Sequence, residues 1–67
     1  MTPELRRAVE EAATAMLIAA ARCRAVDALA GLSTTGTPPD RVQQGAREVM
    51  ARNEAMAYSF FDLLRPR

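Results

Sequence analysis

Residues 12–21 read AATAMLIAAA, a run of ten in which Thr14 alone is polar. Charged residues flank the run on both sides. A helix formed by this run is apolar around its whole circumference, so it needs neighbours on several sides. A chain of 67 residues has room for one other long helix, which covers only one of those sides. The run therefore predicts an all-α fold in which further cover comes from a second chain.

The first predicted helix extends outward from this run over about residues 3–30. Thr2 can cap the first free amides, Pro3 suits the first helical position, and Glu4 is favoured by the helix dipole. Gly31 is expected to end the helix in a left-handed cap. Apolar positions recur along it at alternating spacings of four and three, the heptad pattern of a helix that packs along its length. They are Leu5, Val9, Ala12, Met16, Ala19, Cys23, Val26 and Ala30.

A second predicted helix covers about residues 38–64. It follows residues 31–37, a polar stretch of glycine and hydroxyl residues that is expected to form the loop. Thr37 and Asp40 have the spacing of a capping box, and Pro66 lies just beyond the predicted end. The core stripe of this helix comprises Val42, Ala46, Val49, Asn53, Met56, Phe60 and Leu63, widened on one flank by Met50, Ala57 and Leu64.

Two helices of nearly equal length joined by a short loop predict an antiparallel hairpin that forms a single domain over residues 1–67. An elongated hairpin of this size buries too little apolar surface to offset the entropy of ordering its chain. Two hairpins related by a twofold axis would close the core as a four-helix bundle. We therefore expect a homodimer, or an assembly with another helical protein.

The residues expected to form interfaces lie on or beside the two stripes. They are Val9, Met16, Cys23, Val49, Asn53, Met56, Tyr58, Phe60, Phe61 and Leu64. Two interpretations of Asn53 stand side by side: a buried amide that fixes register and oligomeric state, or a solvated residue at the edge of the stripe. Cys23 is expected to be a structural thiol, with an interchain disulfide near the twofold axis as the alternative.

The methionines and aromatic residues also allow two interpretations. Met16 and Met56 lie on the stripes and are expected to fill the core, although methionines can also form an adaptable binding surface. Tyr58 and Phe61 point away from the strict stripe, so a lone hairpin would leave them partly exposed. Exposed aromatic residues near one end indicate a contact with a second subunit or with another protein.

Composition argues against enzymatic chemistry. The chain has no histidine, one cysteine and no glycine-rich phosphate loop, so we expect no catalytic residue, no metal site and no cofactor. The apolar run is about half as long as a bilayer crossing requires, which excludes a membrane span. With Cys23 alone and no secretory signal before the first helix, the expected compartment is the reducing cytoplasm.

Packing features therefore favour a non-catalytic protein–protein interaction module, such as an adaptor, a regulatory subunit or a docking element. One alternative is a small nucleic-acid-binding protein, because the layout is similar in length and architecture to that of the Rop-type RNA-binding helical-hairpin dimers. The near-neutral net charge of +1 and the absence of lysine count against that alternative. Another alternative is an amphipathic protein of lipid or granule surfaces, of the phasin type.

Overall fold

The protein is described by a computed structural model over residues 1–33 and 41–66. These residues form two helices, α1 (Pro3–Ser33) and α2 (Arg41–Leu64), which pack against each other along their length. Arg6 near the start of α1 contacts Leu64 at the end of α2, and Asp27 near the end of α1 contacts Gln43 near the start of α2. The described part of the chain is therefore the expected all-α antiparallel hairpin.

Helix α1 begins with the predicted cap. The hydroxyl oxygen of Thr2 accepts a hydrogen bond from the amide of Leu5 at 3.1 Å, and the Thr2 carbonyl accepts one from the amide of Arg6 at 2.9 Å. Pro3 occupies the first helical position, where its missing N–H costs nothing. The capping box predicted at Thr37 and Asp40 lies outside the described residues.

Gly31 lies inside α1, although the sequence pattern predicts that the helix ends there. The helix continues to Ser33. A Cβ atom at Gly31 would lie 2.9 Å from the Nε2 atom of Gln43, closer than side-chain atoms ordinarily approach. The glycine thus makes room for a side chain of α2, and no left-handed stop is needed to explain it.

The contact between the helices, which we call the seam, consists of two columns of residues from each helix. In α1 the seam comprises Val9, Ala13, Met16, Ala20, Cys23, Asp27 and Ala30. In α2 it comprises Gln43, Ala46, Met50, Asn53, Ala57, Phe60 and Leu64. All of these residues are buried or half-buried, and the most buried apolar ones are four alanines and Leu64.

The sequence pattern predicts one column of the α1 seam correctly and misplaces the other. Leu5 and Val26 of the predicted column are about half exposed. Ala13, Ala20 and Asp27 take their place, each three or four residues from a correctly predicted neighbour. Helix α1 is thus rotated about its own axis by about 50° from the orientation that the sequence pattern predicts, which is half the angle between consecutive residues.

Helix α2 shows the same displacement. Val42 and Leu63 of the predicted column are more than half exposed, while Gln43, Ala57 and Leu64 are buried. Short side chains at the contact let two helices approach closely, and ion pairs can then form beside the seam. The sequence pattern places Ala57 and Leu64 on the flank of the α2 stripe, and both are buried. It misses Gln43 in α2 and Asp27 in α1 because both are polar, and in α1 it cannot separate Ala13 and Ala20 from Ala12 and Ala19.

The hairpin is elongated. Its principal extents are 51 × 17 × 14 Å and its radius of gyration is 15.4 Å, whereas a compact domain of 67 residues would have about 11 Å. The chain exposes 5196 Å² of surface. A compact monomer of 7.3 kDa would expose about 4,200 Å².

Candidate interaction surface

One side of the hairpin carries an exposed apolar surface, which we call the apolar face. It contains the misplaced columns, Leu5, Ala12, Ala19 and Val26 from α1 with Val42, Val49, Met56 and Leu63 from α2. The six larger side chains among these are each between 41% and 58% exposed. Contiguous apolar surface of this kind is typical of a binding site.

Helix geometry places both columns on the same side of the hairpin. We compare the apolar-face column of each helix with its seam, looking along the helix from its first residue. In both helices the column is rotated from the seam in the same direction. Because the two helices run in opposite directions, equal rotations bring both columns to one side of the pair. The apolar face therefore runs along the whole contact between α1 and α2.

The opposite side of the hairpin is closed by polar contacts, and we call it the ionic face. Arg24 Nη2 donates to Glu54 Oε1 at 3.2 Å. Arg47 Nε lies 3.1 Å from Oδ1 and 3.0 Å from Oδ2 of Asp27. Each such pair near the surface contributes about 0–1 kcal/mol, so their main effect is to orient the two helices.

A further contact on this side caps the end of α2. Arg6 Nη2 donates to the Leu64 carbonyl oxygen at 3.0 Å. That oxygen is one of the last carbonyls of α2, which lack a partner within their own helix. An arginine of α1 thus stabilises the end of α2 and holds the two ends together.

The apolar face is organised in four pairs of residues, one from each helix, at similar heights along the hairpin. The register set by the Asp27–Gln43 and Arg6–Leu64 contacts gives this pairing. The pairs, which we call rungs, are Leu5 with Leu63, Ala12 with Met56, Ala19 with Val49, and Val26 with Val42. Each of the two middle rungs combines an alanine of α1 with a larger residue of α2.

The predicted interface residues fall into three groups. Val9, Met16, Cys23, Asn53, Phe60 and Leu64 lie in the seam between the two helices. Val49 and Met56 lie on the apolar face, where they are exposed. Phe61 is half-buried beside the ionic face, and Tyr58 is exposed on the outer side of α2 next to it.

The two residues singled out in the sequence occupy ordinary positions in the hairpin. The side-chain nitrogen Nδ2 of Asn53 donates to the main-chain carbonyl oxygen of Val49 in its own helix at 3.0 Å. Cys23 is a free, half-buried thiol within the seam. Their proposed roles in register and in an interchain disulfide concern a second chain and remain predictions.

Gln43 is a buried polar residue that connects the two helices, and the sequence pattern did not predict it. It is 6% exposed, and its Nε2 atom donates to the Asp27 carbonyl oxygen at 3.1 Å. Because Gln43 is polar and follows Val42 of the predicted stripe, the sequence pattern predicts that it is solvated. The signal that could have revealed it is the pairing with Gly31, because the glycine leaves space for the amide.

Outside the apolar face, α1 carries a small concavity of its own. A shallow concavity of about 380 Å³ is lined by Arg7, Glu10, Glu11, Thr14, Ala15 and Ile18. All six belong to α1, so no second element closes this site. Within residues 1–33 and 41–66, no group of three histidine, cysteine or acidic residues could hold a metal ion.

Neither described helix combines the length and the apolar character that a bilayer crossing requires. The chain matches no known protein family, no curated protein and no solved structure.

Proposed function

We propose that this protein is a non-catalytic protein–protein interaction module that acts by forming a helical bundle. Its first partner is a second copy of the same chain. Two hairpins pack through their apolar faces and together form a four-helix bundle. As an adaptor, regulatory or docking subunit, the protein would act on its partners in this assembled form.

The observation that carries this proposal is the difference between the two sides of the hairpin. The ionic face satisfies its charges through contacts between α1 and α2, such as Arg24–Glu54 and Arg47–Asp27. The apolar face exposes a continuous row of branched side chains and Met56 to water. Burial of apolar surface is the main driving force of protein association, so this side is the one to be covered.

The exposed area supports a second copy as the partner. The chain exposes about 1,000 Å² more than a compact monomer of its mass. A standard interface buries about 800 Å² on each partner. One face-to-face contact with another hairpin would therefore bring the exposed area per chain close to that of a compact protein.

The alternatives receive less support. Arg24 and Arg47 contact acidic groups of the hairpin itself, whereas Arg22 and Arg52 are exposed beside the apolar face. With a net charge of +1, the chain as a whole attracts nucleic acid only weakly. A lipid or granule surface could also cover the apolar face, and flotation with vesicles distinguishes such a surface from a second copy of the chain.

The decisive experiment places a charge in the middle of the apolar face. Val49→Arg should convert the dimer to a monomer and lower helicity, because an arginine there cannot be desolvated at low cost. Ile18→Arg is the matched control: Ile18 is 49% exposed, close to Val49 at 41%, but it lies on the side of α1 opposite the seam. Sedimentation equilibrium and circular dichroism at several concentrations give the mass and the helix content.

The proposal predicts a dimer for the native chain and for Ile18→Arg, with a melting temperature that falls on dilution. A native chain that sediments as a fully helical monomer at millimolar concentration would overturn it. Flotation of the native chain with anionic vesicles, abolished by Val49→Arg, would assign the face to a lipid surface instead. A gel shift with structured RNA at low salt, unaffected by Val49→Arg, would favour the nucleic-acid alternative.

A further inference from the structure

We infer that the two hairpins pair with their Asp27–Gln43 ends at the same end of the bundle. The twofold axis then runs parallel to the helices. This inference rests on the proposed self-association and adds the orientation of the two copies. It follows from the sizes of the rung residues and from the charges that border the apolar face.

Two twofold arrangements bring the apolar faces together with the helices aligned. In the parallel-axis arrangement, α1 packs against α2 of the second copy, and each rung meets the same rung. In the crossed-axis arrangement, α1 packs against α1 and α2 against α2, and each rung meets one from the other half of the hairpin. Both arrangements place neighbouring helices antiparallel, so the direction of the helices does not distinguish them.

Side-chain size favours the parallel axis. In that arrangement Ala12 faces Met56 of the second copy and Ala19 faces Val49 of the second copy, so every small residue meets a larger one. The crossed axis would pair Ala12 with Ala19 and Met56 with Val49. Two large residues would then hold the α2 helices apart while two small ones left a gap between the α1 helices, and such gaps lose packing energy.

Charge favours the same arrangement. Arg52 is exposed and borders the apolar face on α2, and Arg22 is exposed and borders it on α1. The crossed axis would bring Arg52 to the same height as Arg52 of the second copy, and two like charges would meet at the edge of the interface. With the parallel axis, Arg52 lies beside Ala15 of the second copy, and Arg22 lies beside Gly45 of the second copy. Both arginines then extend their aliphatic portions over small residues.

Spin labels on α1 distinguish the arrangements. Ala28 is exposed on the side of α1 away from the apolar face. The test uses Ala28→Cys in a Cys23→Ala background, labelled with a nitroxide and measured by pulsed dipolar spectroscopy. With the parallel axis the two labels lie at the same height, across a bundle diagonal of about 14 Å plus the helix radius and the length of a label at each end, which gives less than about 35 Å. With the crossed axis they are separated by about 37 Å along the axis alone, and by more than 40 Å in total.

Mixed cross-linking supplies a second, independent measurement. In the same background, a chain with Ala12→Cys is mixed with a chain with Met56→Cys, and the mixture is oxidised. The inference predicts that this pair forms an interchain disulfide at least several-fold faster than a mixture of Ala12→Cys with Ala19→Cys chains. The crossed axis predicts the reverse order.

The outcomes separate this inference from the proposed function. A label distance below about 35 Å with preferential Ala12–Met56 cross-linking supports the parallel axis. A distance above 40 Å in a chain that sediments as a dimer overturns the orientation and leaves the dimer intact. A monomeric mass with no dipolar coupling overturns both.

Discussion

The Nε2 atom of Gln43 donates to the main-chain carbonyl oxygen of Asp27 at 3.1 Å, across the seam between α2 and α1. Gly31, one helical turn further along α1, leaves the space into which this amide fits. The side chain of Asp27 contacts Arg47 on the outer edge of the same contact. The main chain and the side chain of Asp27 thus hold α2 at two points, which fixes the register of the hairpin near its connected end.

Replacing Gly31 by alanine is expected to change stability only when Gln43 is absent. In the native chain, the gain in helix propensity of up to about 1 kcal/mol is offset by displacement of the Gln43 hydrogen bond, which is worth about 1 kcal/mol. In a Gln43→Ala background no amide is displaced, so Gly31→Ala should stabilise by up to about 1 kcal/mol. Urea unfolding at one fixed chain concentration measures this coupling in four chains: the native chain, Gly31→Ala, Gln43→Ala and the double variant.

Unfolding of the same four chains can also contradict the coupling between Gly31 and Gln43. If the effects of Gly31→Ala and Gln43→Ala add within about 0.3 kcal/mol, the two positions are independent. The proposed fit between glycine and amide would then be wrong.

Gly45 provides a contrast to Gly31 because nothing lies within 4 Å of the position that its Cβ would take. Gly45→Ala should therefore stabilise the native chain by about 0.5–1 kcal/mol, since alanine loses less backbone entropy in a helix. Thermal unfolding followed by circular dichroism should show a higher melting temperature, by about 4–8 °C for each kcal/mol. A lower melting temperature would show that the second copy packs so closely against Gly45 that the added methyl group has no space.

Much of the fold could be predicted from local signals in the sequence. The Thr2-Pro3 start and the end near Leu64 are set by capping and proline chemistry within a few residues, and the structure has both. The antiparallel hairpin follows from two long helices of similar length. The position of Gly31 inside α1 could not be predicted, because the contact that accounts for the glycine is made by a side chain of the other helix.

The rotation of the two helices was the main feature that the sequence did not reveal. Heptad spacing identifies a broad apolar stripe but not its centre, because apolar residues lie on both sides of the central column, as Ala12 and Ala13 do in α1 and Met56 and Ala57 do in α2. Val49 and Met56 lie on the apolar face and outside the seam, so their expected place in an interface concerns a second chain and stays a prediction. Which of the two columns faces the other helix depends on how closely the helices approach, and that distance is set by both helices together.

Asp27→Asn is expected to destabilise the protein modestly, by about 0.5–1 kcal/mol at low salt. The substitution removes the charge that faces Arg47 but keeps the main-chain carbonyl that accepts from Gln43. Because salt screens exposed ion pairs, the difference from the native chain should shrink toward zero at about 1 M NaCl. Urea unfolding at both salt concentrations measures it, with Arg7→Gln, whose partner Glu11 lies on the same helix, as the control for a pair that does not join α1 and α2. A difference that persisted undiminished at high salt would mean that Asp27 acts through packing or hydrogen bonding, not through charge.

Ala57→Leu is expected to separate the helices and to destabilise the protein by about 1–3 kcal/mol. Ala57 is fully buried in the seam, so three additional carbon atoms have no space unless α1 and α2 move apart. Ala55→Leu is the matched control because Ala55 is exposed on the same helix, two residues away. There the same change should alter stability by less than about 0.5 kcal/mol. Equal effects of the two substitutions, measured by urea unfolding at one chain concentration, would contradict the placement of Ala57 in the seam and, with it, the exposure of the apolar face.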